Sequence, residues 1–83
     1  MDSTIKFYRK ENNFTQQELA DLLEVPRTTV SFYENKREYP TLMMAEKLAE
    51  ILKTTIGKLY SEQELGVIKT KWLKKLIKKV GDK

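Results

Sequence analysis

Arg27, Thr28, Ser31 and Phe32 fall on one side of a short helical pattern spanning residues 26–35. At about 100° per residue, Val30 at the centre of a buried side puts Tyr33 about 60° away. Thr28, Ser31, Phe32 and Asn35 then turn outward, with Arg27 flanking them in the exposed first turn. These residue types can read the edges of bases. An Arg guanidinium donates two hydrogen bonds to guanine O6 and N7, which discriminates by about 1–3 kcal/mol. Thr28 can pair with a base or offer its methyl group to thymine, and Ser31 stands close by. Phe32 also suits a thymine methyl, although the commoner fate of an aromatic is burial, here against Tyr39 or the final helix. The competing reading for each polar member of the row is an ordinary solvated side chain.

Other chemistry is poorly supplied. The 83 residues contain no cysteine and no histidine. That removes disulfides, thiolate nucleophiles and the main ingredients of transition-metal sites and nucleophile–base pairs. The acidic and basic residues that remain pair at helical spacings with no pocket implied, so an enzyme is not expected, and neither a cofactor nor a small-molecule ligand is evident. No apolar run approaches the roughly 20 residues of a membrane span, and the first ten residues, MDSTIKFYRK, do not have the pattern of a signal peptide. A reducing, cytoplasmic setting is expected.

A base-reading row needs rigid elements behind it, and local signals place them. Residues 3–12 make a first helix, with Ser3 as its cap, Ile5, Tyr8 and Arg9 on one side, and Asn13 as a stop that tolerates the left-handed conformation. Thr15-x-x-Glu18 is a capping box opening a second helix, and Phe14 with Leu19 stands at the two positions of a hydrophobic staple. Leu19, Ala20, Leu22 and Leu23 supply the buried side. Only Glu24 and Val25 separate this helix from the next, where Pro26 is tolerated because first-turn N–H groups lack helical partners anyway. Two short helices joined so closely, the second with a polar outer row, outline a helix-turn-helix. Thr41 then caps a fourth helix with Leu42, Ala45, Leu48, Ala49 and Leu52. A short fifth helix follows Thr55, with Ile56, Leu59 and Tyr60 as core candidates. Ser61-x-x-Glu64 is a second capping box and starts a sixth helix running to about residue 80. The expected fold is all-α, with residues 1–60 as one domain and 61–83 as an appended basic amphipathic helix.

At this point the sequence resembles the phage-repressor-type (XRE class) helix-turn-helix family over roughly residues 4–60. The resemblance rests on Arg9, the TQQELA run, the RTTVSFYEN run, and Pro40 followed by LxxxxxLAxxL from Leu42 to Leu52. It implies a five-helix fold and binding of double-stranded DNA. Carried onto this chain, it implies that Arg27, Thr28 and Phe32, with Ser31 beside them, face base edges. Gln16, Asn35 and Arg37 would touch phosphates, and Lys36 in the same turn is expected as a further phosphate contact. Arg9 and Glu34 would form a partly buried ion pair between the first and third helices. Glu24, Lys36 and Lys53 stand where that family often has glycine, and Pro26 where it often has a Ser-type cap. These departures predict reshaped or strained turns, because a left-handed non-glycine residue costs roughly 1–2 kcal/mol.

Charge is uneven along the chain. Residues 1–64 carry nine Lys/Arg against eleven Asp/Glu, whereas residues 65–83 carry seven Lys against one Asp. The net +4 therefore comes from the tail. Its apolar side, Leu65, Ile68, Trp72, Leu73, Leu76, Ile77 and Val80, is too broad for a clean heptad seam. The preferred expectation is that it packs on the domain or on a second copy, with the lysines solvated. An anionic membrane or DNA phosphates are less favoured occupants. The combined reading is a sequence-specific transcriptional regulator of the repressor kind, homodimeric through a contact supplied by the final helix or by the fourth–fifth helix region. The alternative is an antitoxin-type module whose first duty is to bind and neutralise a protein partner.

Overall fold

The computed structural model describes the backbone of residues 4–81, and the side chains of residues 4–71 and 73. Six helices follow one another with no strand among the described residues: α1 Thr4–Glu11, α2 Gln16–Leu23, α3 Arg27–Glu34, α4 Leu42–Ile51, α5 Ile56–Leu59 and α6 Glu62–Gly81. The expected starts hold through side-chain chemistry. Thr15 Oγ1 accepts from the Glu18 N–H at 3.0 Å while the Glu18 carboxylate accepts from the Thr15 N–H at 2.9 Å, which completes the reciprocal cap. Ser61 and Glu64 do the same at the head of α6. Thr41 and Thr55 each accept one orphan N–H at the starts of α4 and α5. Pro26, expected as the first helical residue, instead precedes α3 as an extended residue with φ −64° and ψ 151°, and it makes no side-chain cap.

The ends of α1 to α4 follow one rule that uses no glycine, whereas α5 ends on an extended Tyr60. Asn13, Glu24, Lys36 and Lys53 all have φ near +60°. After each, the next N–H reaches back five residues: Phe14 to Arg9, Val25 to Ala20, Arg37 to Phe32 and Thr54 to Ala49, all at about 3 Å. This is the Schellman arrangement, which satisfies otherwise orphaned carbonyls. The three positions where glycine was missed are thus left-handed caps built on Glu and Lys, and they carry the expected strain.

The helices enclose one core. Ile5 of α1, Leu19, Ala20 and Leu23 of α2, Val30 and Tyr33 of α3, and Ala45, Leu48 and Ala49 of α4 are buried, together with Leu52, Leu59 and Tyr60. Leu22, placed on the buried side by periodicity, instead stands exposed. α3 packs on both α1 and α2, so its inward side is fixed from two directions. The Asn12 amide adds a polar stitch, donating to Leu52 O at 3.0 Å and so joining the end of α1 to the end of α4. α6 packs on α4 and drops Ile68 into the core with no exposure. Leu65 is half-buried against the same core and Leu73 stands exposed, while Trp72, Leu76, Ile77, Val80 and the Ser3 cap lie outside the described side chains. The first turns of the tail helix therefore pack on their own domain. A second copy could reach Ile68 only if α6 left its seat, which takes that residue off any surface seam.

Candidate nucleic-acid interface

Burial of Val30, Tyr33 and Glu34 on the inner side of α3 fixes which side faces out. Arg27, Thr28 and Asn35 are exposed, Ser31 is half-buried, and Phe32 is 42% exposed and outside the core. Phe32 therefore stands on the outward side of α3, outside the buried core. The sequence places these residues together, and the structure keeps them on one outer side of one helix.

Behind that row lies a connected polar network. The Arg9 guanidinium donates through Nε and Nη2 to the two carboxylate oxygens of Glu34, and through Nη1 to Phe14 O at 2.9 Å. Both partners are at least nine-tenths buried, at 8% and 5% exposure. Such a pair needs every lone pair and proton engaged to offset desolvation. Gln16 adds a third donor to the carboxylate, its amide N–H reaching Glu34 Oε1 at 2.9 Å. Its amide oxygen then accepts from Arg27 Nη1 at 3.2 Å. Arg9, Glu34, Gln16 and Arg27 thus form one chain of contacts from the core to the surface. The pairing of Arg9 with Glu34 follows expectation. The attachment of Gln16 to both Glu34 and Arg27 does not follow from the sequence, since the three lie on three different helical faces until the fold brings them together.

The far end of α3 is organised differently. Asn35 turns its amide back onto Ser31 O at 2.9 Å, and Arg37 stands exposed one residue past the left-handed Lys36. Lys36 does not point outward with them. Its ammonium sits 3.0 Å from Glu64 Oε2 and 4.6 Å from the centre of the Tyr60 ring, drawn toward α6. The Tyr39 hydroxyl donates to the same Glu64 oxygen at 3.0 Å, and Lys71 donates to Tyr39 O at 2.8 Å. Burial pushes the Glu64 carboxyl up. The Ser61 N–H, Lys36 and the Tyr39 hydroxyl outweigh it, and its pKa lies below the ordinary carboxylate value. Burial pushes the Tyr39 phenol up, and Glu64 adds to the rise. Tyr39, Glu64 and Lys71 were not singled out from sequence as a group. The one available signal was that a capping box uses only one of the two Glu64 oxygens.

Among the described residues no cluster of Asp and Glu is arranged to hold a metal, and no helix is long and apolar enough to cross a membrane. The comparisons with known proteins agree with the geometry. A helix-turn-helix family profile matches residues 5–59, from α1 through α5. An uncharacterised helix-turn-helix-type transcriptional regulator of Archaeoglobus fulgidus is 36% identical over 67 residues, covering 78% of this chain and 94% of that protein. Control protein C.SmaI of Serratia marcescens is 34% identical, covering 74% of this chain and 73% of its own. The transcriptional activator BcrR of Enterococcus faecalis is 35% identical over 69% of this chain, which spans only 28% of that longer protein. With the close-joined α2–α3 pair and the helices around it matching the family frame, the chain belongs to the XRE-type helix-turn-helix family of DNA-binding transcriptional regulators, proteins that act by binding rather than by catalysis.

Proposed function

We propose that this chain is a sequence-specific repressor that binds its operator as a homodimer, each copy laying α3 in the major groove. The observation that carries this reading is the outward row on α3, with the exposed Arg27 held at its Nη1 by Gln16. Arg27, Thr28, Ser31 and Phe32 read base edges. Gln16, Asn35 and Arg37 meet phosphates and fix the register. One helix covers only a few base pairs, so two copies on half-sites about 34 Å apart supply the discrimination that one lacks. Repression needs nothing beyond occupancy of a promoter, whereas activation needs a further productive contact with the transcription machinery.

The test is selection from random duplexes at about 150 mM salt, where sequence-independent binding is weakened. A two-fold symmetric site should be enriched. Placing it across a reporter promoter should lower transcription when the protein is present, and a rise would make the protein an activator. In Arg27→Ala, preference for guanine at one position of each half-site should fall by about 1–3 kcal/mol, with other positions kept. Enrichment of no site at all would defeat the specific-regulator reading.

A further inference from the structure

We propose that Glu64 limits the phosphate grip of the turn after the reading helix by holding Lys36 in an intramolecular ion pair. This rests on the reading of residues 35–37 as a phosphate-contacting turn. Lys36 closes α3 in a left-handed conformation and directly precedes the exposed Arg37, so its backbone lies where a basic residue would serve DNA. Its ammonium is nonetheless turned to α6. Two attractions hold it there: the Glu64 carboxylate at 3.0 Å and the face of the Tyr60 ring at 4.6 Å.

Glu64 is not free to follow Lys36 outward. Its other oxygen accepts the Ser61 N–H at 2.9 Å, which anchors the carboxylate in the first turn of α6. Tyr39 is gripped at both its hydroxyl, by Glu64, and its carbonyl, by Lys71 two turns further along. The cluster therefore fixes the 36–39 turn on α6 and spends the Lys36 charge inside the molecule. The Lys36 side chain is about one-third exposed and Glu64 about one-quarter, so the pair is shielded enough to compete with a solvated phosphate.

The experiment is a salt titration of binding to a mixed-sequence 30-base-pair duplex, since phosphate contacts are independent of sequence. Each neutralised phosphate adds about 0.9 to the slope of log K against log salt. Gln serves as well as Glu in a capping box, so Glu64→Gln should keep the helix start, which a thermal melt checks. Glu64→Gln should steepen the slope by about 0.9 and tighten binding. Lys36→Gln and the Lys36→Gln/Glu64→Gln double variant should both match the wild type. Arg37→Gln should flatten the slope by about 0.9 and so report that the turn engages DNA.

An unchanged slope in Glu64→Gln, with Arg37→Gln still flattened, would overturn the Glu64 proposal and leave the turn's role intact. Equal steepening with and without Lys36 would also overturn it, as a general effect of removing one negative charge. If neither Arg37→Gln nor Glu64→Gln has an effect, the turn does not touch phosphate and both readings fall.

Discussion

Individual side chains at this site do two jobs, and Gln16 shows it best. Its amide donates to the buried Glu34 carboxylate and accepts from Arg27. Gln16→Ala should therefore weaken binding to the selected duplex by roughly five- to tenfold, about 1–1.4 kcal/mol, through loss of a charge-assisted hydrogen bond and of one phosphate contact. Circular dichroism should stay unchanged, because Arg9 still neutralises Glu34; a variant that binds as tightly as wild type would show that Gln16 is only a core satellite. Tyr60 makes the opposite case. Its hydroxyl is buried with no hydrogen-bond partner among the described residues, and burial foremost pushes the phenol well above its ordinary pKa. A raised folded-state value means that stability is fully present below about pH 10 and is lost as pH rises past it, where the unfolded chain ionises first. Tyr60→Phe removes an unpaired group while keeping the ring under Lys36. Its melting temperature at pH 7 should equal or exceed the wild type's, and its decline above pH 10 should be shallower. A marked loss of stability at pH 7 would mean that the hydroxyl has a partner after all.

At the scale of elements, the helix starts were legible because a capping box is local: Thr15 with Glu18 and Ser61 with Glu64 lie three residues apart and close without help from the rest of the fold. The end of α1 was legible from Asn13, whereas the ends of α2, α3 and α4 were legible only through the absence of glycine at positions 24, 36 and 53, where the structure keeps the left-handed geometry instead of changing the turn. The buried Arg9–Glu34 pair was reached through family resemblance rather than spacing, since 25 residues separate the partners. Nothing local connects Gln16 to Glu34, or Tyr39 to Glu64 and Lys71, because contacts at that separation are decided by packing. The left-handed caps give a direct test. Lys53 is exposed and has φ of 57°, so Lys53→Gly relieves strain of roughly 1–2 kcal/mol while adding roughly 0.5–1 kcal/mol of chain entropy to the unfolded state. The balance favours the variant, and thermal denaturation should show a midpoint a few degrees higher. A lower midpoint would mean that the Lys53 side chain makes a stabilising contact that outweighs the strain. Lys36→Gly would be a poorer test, because it also removes the ion pair with Glu64.

For the whole molecule the question is how a body whose first 64 residues carry more acid than base binds a polyanion specifically. The answer proposed here is geometric. Few positive charges face the duplex, so sequence-independent attraction is modest, and affinity has to come from two reading helices engaging two half-sites at once. The net positive charge lies after residue 64, and α6 sits directly against the turn that ends α3. Such a design predicts a strict dependence on spacing. B-form DNA repeats every 10–10.5 base pairs, so inserting five base pairs between the half-sites turns one of them to the opposite side of the duplex. A homodimer cannot follow that rotation, and binding should fall toward the affinity of a single half-site. Inserting ten base pairs restores the rotational phase but adds about 34 Å of separation, so recovery should be partial at most. Gel-shift titrations of the three duplexes distinguish the alternatives. Two copies acting independently would bind all three equally, and affinity supplied by the lysine-rich tail alone would be indifferent to spacing and would fade with salt in the same way on each.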